Sequence, residues 1–530
     1  MNQPHLGETR DKLYWLPLTV ALGAYALLAW QFWFVCDDAF ISFRYSRNLS
    51  EGFGLRYNIA NLQPVEGYSN FLWVVIGAAV HKMGLDMVLF LPLLSSACGA
   101  WLLCLVWITA REDLKLTPLC ATMALLSLAI FPPFFVWASS GLATLPAALC
   151  LFGAFRNLFF RQRALYAGLY ALCLALLRPE GILWGLSLAG LTVFDRSRWR
   201  IVAPYLAVLL SCFTAYFLWR ANYFAAWLPN TVTNKVGMSW PIVERGARYA
   251  IVYLLTFLSP LLILPAIPAG WKQRSPALLP LILLTGALAL YPVLVGGDFM
   301  TMGRFFVSLA PFQALWIGLL LQSIVAWRPA GTVVAPALGS AVIVLGLLPA
   351  LGLHVLPYSV RSEFHFRHNT SKFRSELEQW AFMKSNSERW RELGEALREI
   401  SRPGDSLVAG AIGNVGYYSH LHIYDRFGLV EPRVAQRKGR KAAKKSPGHD
   451  KAVGYRFFLK DNPTFATAKL IRRPEHHAKY AAKNLTPSAY QGYESRYVPL
   501  GRKDSKGRKL GLFVLQRKDA LKVARANAKS

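Results

Sequence analysis

The chain has 530 residues, of which 54% are hydrophobic and only 17% charged, and its mean hydropathy is +0.31. That balance is far too apolar for an ordinary soluble protein of this length, and makes a membrane protein the first reading. The net charge is +30, and about two-thirds of this excess follows Tyr358, so an apolar part (1–357) precedes a basic, water-compatible part (358–530).

The spans follow from runs of about 20 apolar residues. Such runs lie at Tyr14–Val35, Met87–Ala110, Thr117–Val136, Leu142–Phe160, Ala164–Leu177, Gly181–Phe194, Ile201–Trp219, Tyr249–Gly270, Ala277–Val295, Phe305–Trp327 and Thr332–Leu353. The first lacks a small-residue cleavage site and is followed at once by Asp37-Asp38, which predicts an anchor rather than a removed signal. The Ala164 and Gly181 runs are short and joined by Arg178-Pro179-Glu180, a hairpin with a polar tip. Phe71–Val80 is too short to span and is placed flat or re-entrant on the outer face. With the amino terminus inside, the loops carrying Arg156/Arg161/Arg163, Arg196/Arg198/Arg200, Lys272/Arg274 and Arg328 then become cytoplasmic, as the positive-inside rule requires. The expected architecture is a polytopic α-helical protein of about eleven spans in the inner (plasma) membrane. All seven cysteines fall in the apolar part without paired spacing, which predicts buried thiols rather than disulfides or a zinc site.

After Tyr358 the pattern becomes that of an extracytoplasmic α/β domain. Ser375–Ile400 has helical spacing of Leu377, Trp380, Trp390, Leu393 and Leu397 and stops at Arg402-Pro403-Gly404-Asp405. Strands are predicted at Ser406–Gly410, Ile423-Tyr424, Tyr455–Leu459 and Gly511–Gln516. Arg433–Lys451 is a basic loop, and Lys518–Ser530 a basic tail.

Chemistry concentrates at the outer ends of the spans. Asp37 and Asp38 sit where carboxylates are costly unless solvated, paired or used. One reading is a polar flank. The other is a general base, Asp37, with Asp38 orienting the acceptor or holding a divalent cation such as Mg or Mn. On a helix the two diverge by about 100° and can differ in role. Arg44, seven positions after Asp37, returns to its face, where a fixed cation suits a phosphate leaving group. Arg178 with Glu180, Asn230 with Lys235, and Asp298 with Arg304 are each ordinary turn or loop features alone. Under the charge-consistent topology all of them open on one face, and acids and bases converging there suit an anionic lipid-linked substrate. A nucleotide sugar, made in the cytoplasm, does not fit that face.

The motifs Asp37-Asp38-Ala39-Phe40-Ile41-Ser42, Val65-Glu66-Gly67-Tyr68-Ser69-Asn70, Arg178-Pro179-Glu180-Gly181, Leu228-Pro229-Asn230-Thr231 and Gly296-Gly297-Asp298-Phe299-Met300 with Arg304-Phe305 resemble a bacterial family of GT-C fold glycosyltransferases. That family includes the mycobacterial terminal arabinofuranosyltransferase. The resemblance continues through Pro403-Gly404-Asp405, Tyr417-Tyr418-Ser419, Gly428-Leu429 and Gly448-His449. It implies a polyprenyl-phosphate sugar donor, arabinofuranose as the sugar, a glycan or glycoprotein acceptor in the cell envelope, and an aspartate of the first outer loop as base. It also adds Glu66 to the substrate-binding candidates. The chain departs from the family at Ser140-Gly141-Leu142-Ala143-Thr144, where relatives carry Glu-Thr after Ser-Gly-Leu. That puts the sugar or acceptor in question.

Gly410-Ala411-Ile412-Gly413-Asn414-Val415-Gly416 follows a strand, but its G-x-x-G-x-x-G spacing is not a dinucleotide fingerprint and reads as a strand-to-helix turn. His365/His368 and His420/His422 lack the cysteines or acids that would complete a metal site. The basic loop and tail suit anionic lipid headgroups or an acidic polysaccharide better than nucleic acid, which is absent from the outer face. A transporter would bury ionisable residues mid-span, and these are nearly absent. The alternative that stays open is a non-enzymatic membrane scaffold, such as an assembly or motor-control factor.

Overall fold

The computed structural model describes residues 5–520 apart from 196–197, 234–238, 272–276, 328–330, 368–371, 438–450, 472, 474, 486–489, 504–506 and 508. The apolar runs are helical, from His5–Gln31 to Gly331–Leu347. Leu91, Leu102, Val106, Phe152 and Trp316 are buried in the bundle, whereas Leu27, Leu183, Leu264 and Val333 point outward at 63–72% exposure. Helices apolar on their outer faces as well are matched to lipid rather than water.

The runs differ in length. Among the described residues, Met87–Asp113, Trp199–Phe224 and Gly331–Leu351 are long and apolar enough to cross a membrane. The predicted span Tyr249–Gly270 is instead a broken pair, Trp240–Phe257 and Ser259–Trp271, bent by 92°. Leu258 has a φ of +57° at the break and Pro260 removes a backbone donor just after it. Thr117–Val136 likewise breaks into Pro118–Ala129 and Pro132–Val136, because Pro132 holds Phe131 extended. Phe71–Lys82 is a short apolar helix lying against the Asp37–Ser50 helix, with Ser46 Oγ bonded to the Val74 carbonyl at 2.8 Å.

The bundle has two chemically distinct ends. At one, Asp113 binds Arg156 and Arg161 at 2.9 and 2.8 Å, and Arg198 donates to the Leu158 and Phe159 carbonyls. At the other, the Cys36 amide donates to the Ser140 carbonyl, Trp137 to the Thr301 carbonyl, and the C-terminal domain docks.

That domain opens with the helix Glu376–Ile400, started by a capping box in which Ser375 and Glu378 bond reciprocally. Its sheet comprises β1 (Ser406–Ala409), β2 (His422–Asp425), β3 (Phe465–Ile471), β4 (Tyr493–Lys503) and β5 (Lys509–Arg517), in the order β2-β1-β3-β5-β4. β1 runs parallel to β2 and β3, and β5 is antiparallel to β3 and β4. Tyr455–Leu459, expected as a strand, belongs to a 3-10 helix, Tyr455–Asp461. Its three-residue repeat brings Tyr455 and Phe458 to the same side. There Phe458 packs on Val408 and Val434, and the Arg426 guanidinium stacks 3.9 Å over Tyr455.

Candidate functional site

The chain turns sharply into the site. Cys36 is extended (φ −81°, ψ 152°), and the helix Asp37–Ser50 begins at once with both carboxylates in its first turn, where the helix dipole favours them. Gly141, at φ +77°, lets the Ser139-Ser140-Gly141 turn pack tightly on Ala39.

Asp37 is gripped by the C-terminal domain. Its Oδ1 accepts the Asn414 amide N–H at 2.7 Å and the Asn414 side-chain N–H at 3.1 Å, and its Oδ2 accepts the Gly413 N–H at 3.3 Å. Burial pushes its carboxyl up to about 6; the Asn414 and Gly413 bonds oppose this, and neighbouring Asp38 adds to it. A carboxylate titrating near neutrality is suited to general-base work.

Asp38 lies in the field of Arg304. Arg304 Nε donates to Asp298 Oδ2 at 2.6 Å, and its guanidinium lies 5.6 Å from the Trp137 ring centre and 5.3 Å from that of Phe305. The loop bearing this pair turns on Gly296, Gly297 and Gly303, all at positive φ. Glu376, from the C-terminal domain's first helical turn, holds the loop through the Met302 N–H, while Arg367 ties Glu376 to the Phe299 and Met300 carbonyls. Arg178 and Glu180 are half-buried, and both act electrostatically on Tyr291, which also feels Arg304. Gly181 closes their hairpin, because a Cβ there would collide with the Leu174 carbonyl. The structure therefore brings together Asp37, Asp38, Arg178, Glu180, Asp298 and Arg304.

Of three other candidates, Arg44 and Asn230 form the seam between the two parts of the chain, and Glu66 is paired within the first part. Arg44 is 3% exposed and directs its donors at the Tyr57, Gly416 and Leu421 carbonyls (2.8, 2.8 and 2.7 Å), with Asn58 Oδ1 at 3.4 Å. Its expected place on a phosphate is corrected: those N–H groups are spent on backbone carbonyls. Glu66 pairs with buried Arg220 at 2.5 Å, and burial raises its carboxyl while Arg220 opposes the rise. Asn230 donates to the Gly428 and Leu429 carbonyls at 2.7 and 2.9 Å. Lys235 lies outside the described residues. Ala143 is buried at the start of the Thr144–Phe159 helix.

Among the described residues no group of three or more His, Cys, Asp or Glu side chains gathers as a metal site. A cation at Asp38 would find Asp37 Oδ1 bonded to Asn414 and Asp298 paired with Arg304. His420 is pushed down to about 4 by burial and by Arg47, Arg398 and Arg44.

Sequence reasoning missed Asn414, Ser387, Tyr57, Glu376, Arg367 and Arg220. Glycines at 413 and 416 carried a signal: three apart on a helix, they strip one face of side chains, as close packing requires. A Cβ on Gly413 would collide with the Asp37 backbone, and one on Gly416 with the Tyr57 hydroxyl.

A family described as a domain of unknown function (DUF8728) matches residues 378–506. No curated protein matches the chain. Among solved structures, ArnT from Cupriavidus metallidurans in the apo state is similar, with a TM-score of 0.55 and 14% identity over 94% of this chain and 97% of that one. ArnT bound to undecaprenyl phosphate is similar over the same shares, with a TM-score of 0.53 and 14% identity. The likeness is one of fold: this chain has a GT-C type helical membrane module followed by a C-terminal α/β domain.

Proposed function

We propose that the protein is a membrane glycosyltransferase that moves a sugar from a polyprenyl-phosphate donor to a cell-envelope glycan or protein. Arabinofuranose is the sugar the motif resemblance implies. The observation that carries the reading is the convergence of Asp37-Asp38, Asp298-Arg304 and Arg178-Glu180 at one end of an apolar bundle. That the similar ArnT binds undecaprenyl phosphate supports a lipid phosphate as ligand. The basic residues Arg156, Arg161 and Arg198 occupy the opposite end, which supports a cytoplasmic side there and an extracytoplasmic site and C-terminal domain.

In this reading Asp37 Oδ2 takes the proton of the acceptor hydroxyl as its oxygen bonds to the anomeric carbon. The bond from that carbon to the phosphate oxygen breaks, and the phosphate leaves on its lipid. Arg304 and Arg178 offset the charge that gathers on it, which counts most in a site of low dielectric. Asp38 orients the acceptor. No step is routed through a cation.

The scaffold reading has one observation in its favour: both oxygens of Asp37 already accept bonds from the C-terminal domain, as a docking ligand's would. The deciding experiment offers the purified protein a panel of labelled polyprenyl-phosphate sugars beside the matching nucleotide sugars. Transfer or hydrolysis from a lipid-phosphate donor alone is expected. Turnover of nucleotide sugars only, or of none, would refute the proposal.

A further inference from the structure

The side chain assigned as base is held by groups that do not belong to its own part of the chain. Asn414 uses both hydrogens of its side-chain amide, one on Asp37 Oδ1 at 3.1 Å and one on Ser387 Oγ at 2.9 Å. Ser387 in turn donates to the Val35 carbonyl at 2.7 Å, two residues before Asp37. The helix Glu376–Ile400, carrying Ser387, and the helix Gly413–Ser419, carrying Asn414, thus grip residues 35–37 from two sides. Around this contact, Tyr57 Oη donates to the Ile412 carbonyl at 2.6 Å and Arg44 to that of Gly416, locking the Gly413–Ser419 helix in place.

We propose that Asn414, braced by Ser387, is a positioning residue for Asp37, so that the C-terminal domain sets the membrane module's base in its working orientation. This rests on the transferase reading above. Oδ1 takes two of the three bonds and Oδ2 only the long one from Gly413, so the free lone-pair capacity lies mainly on Oδ2. Oδ2 is therefore the oxygen that receives the acceptor's proton. Domain docking and base alignment are one event, and a chain whose domain lifts away loses the base orientation along with the seam.

The test uses the full-length protein and the donor that the labelled panel identifies. Asn414→Ala should lower kcat about tenfold while the donor KM stays within about twofold, as loss of alignment rather than of binding requires. The amide bonds the charged carboxylate, so its removal should also move the acid limb of the pH–rate profile upward by roughly half to one unit. Asp38, Cys36 and Tyr57, titratable groups coupled to Asp37, all remain in that variant. Asn414→Asp sets two carboxylates together and should lower the melting temperature. Adding Asp37→Asn should raise the melting temperature again, because the two carboxylates no longer repel, but not restore turnover.

Should Asn414→Ala not accumulate, Ser387→Ala frees the amide to rotate and should lower kcat with the same pH shift. Parental kcat and an unmoved acid limb in either variant, with Asp37→Asn inactive, would overturn the inference and leave the transferase reading standing. Parental turnover in Asp37→Asn would overturn the base assignment and this inference with it.

Discussion

Arg304 and Arg44 carry the same charge and do different work, because their donors meet different acceptors. Asp298 engages Arg304 at Nε and fixes the guanidinium plane beside Asp38. A charge-assisted contact to phosphate is worth roughly 1.5 to 3 kcal/mol, so Arg304→Gln should weaken donor use about ten- to a hundredfold. Arg44→Gln should leave the donor KM unchanged and lower the melting temperature. It orphans buried carbonyls at about 1–3 kcal/mol each. Donor titrations and melting curves of the two variants check both outcomes. Asp37 adds a pH prediction. A base works deprotonated, and burial pushes this carboxyl up to about 6, so kcat should fall as pH drops through about 6. A rate flat down to pH 5 would remove Asp37 from the role. At this scale the sequence exposed the acidic and basic motifs but not their partners. Arg44 and Arg304 look alike in one dimension, and only the fold shows that Gly416 and Leu421 present carbonyls to the first.

Among the elements, the short helix Gly413–Ser419 decides how the two parts meet. Gly413 and Gly416 face the Asp37–Ser50 helix, and any side chain there collides with the Asp37 backbone or the Tyr57 hydroxyl. Gly416→Ala should therefore undock the C-terminal domain, which limited proteolysis would register as faster cleavage between the two parts. Unchanged protease resistance would mean that the seam tolerates a methyl group. The long helices were legible because each is a sustained apolar run, and Glu376–Ile400 because a capping box precedes its periodic face. β3 and β4 were not. Ala466, Thr467 and Ala468 blur the alternation in β3, and Pro499 and Gly501 interrupt it in β4. The aromatic run at Tyr455 misled for the opposite reason, since rings that favour strands here pack into one cluster from a 3-10 turn.

Across the whole molecule, the arginine-bearing ends of the helices and the acid–base cluster lie at opposite ends of the bundle. Basic loops with Arg156, Arg161 and Arg198 gather at one, and the acid–base cluster and the C-terminal domain at the other. If the end with the basic inter-helix loops faces the cytoplasm, a reporter fused after Arg517 should be active only outside it. Cytoplasmic activity of the fusion would reverse the orientation and put the site within reach of nucleotide sugars. The central claim, that this cluster transfers sugar from a lipid phosphate with Asp37 as base, is tested most directly by single-turnover transfer in bilayer nanodiscs. The parent and Asp37→Asn would be compared with a labelled polyprenyl-phosphate sugar. The account predicts measurable turnover by the parent and a loss of at least about a hundredfold in Asp37→Asn at an unchanged melting temperature. Equal turnover by the two proteins would contradict it.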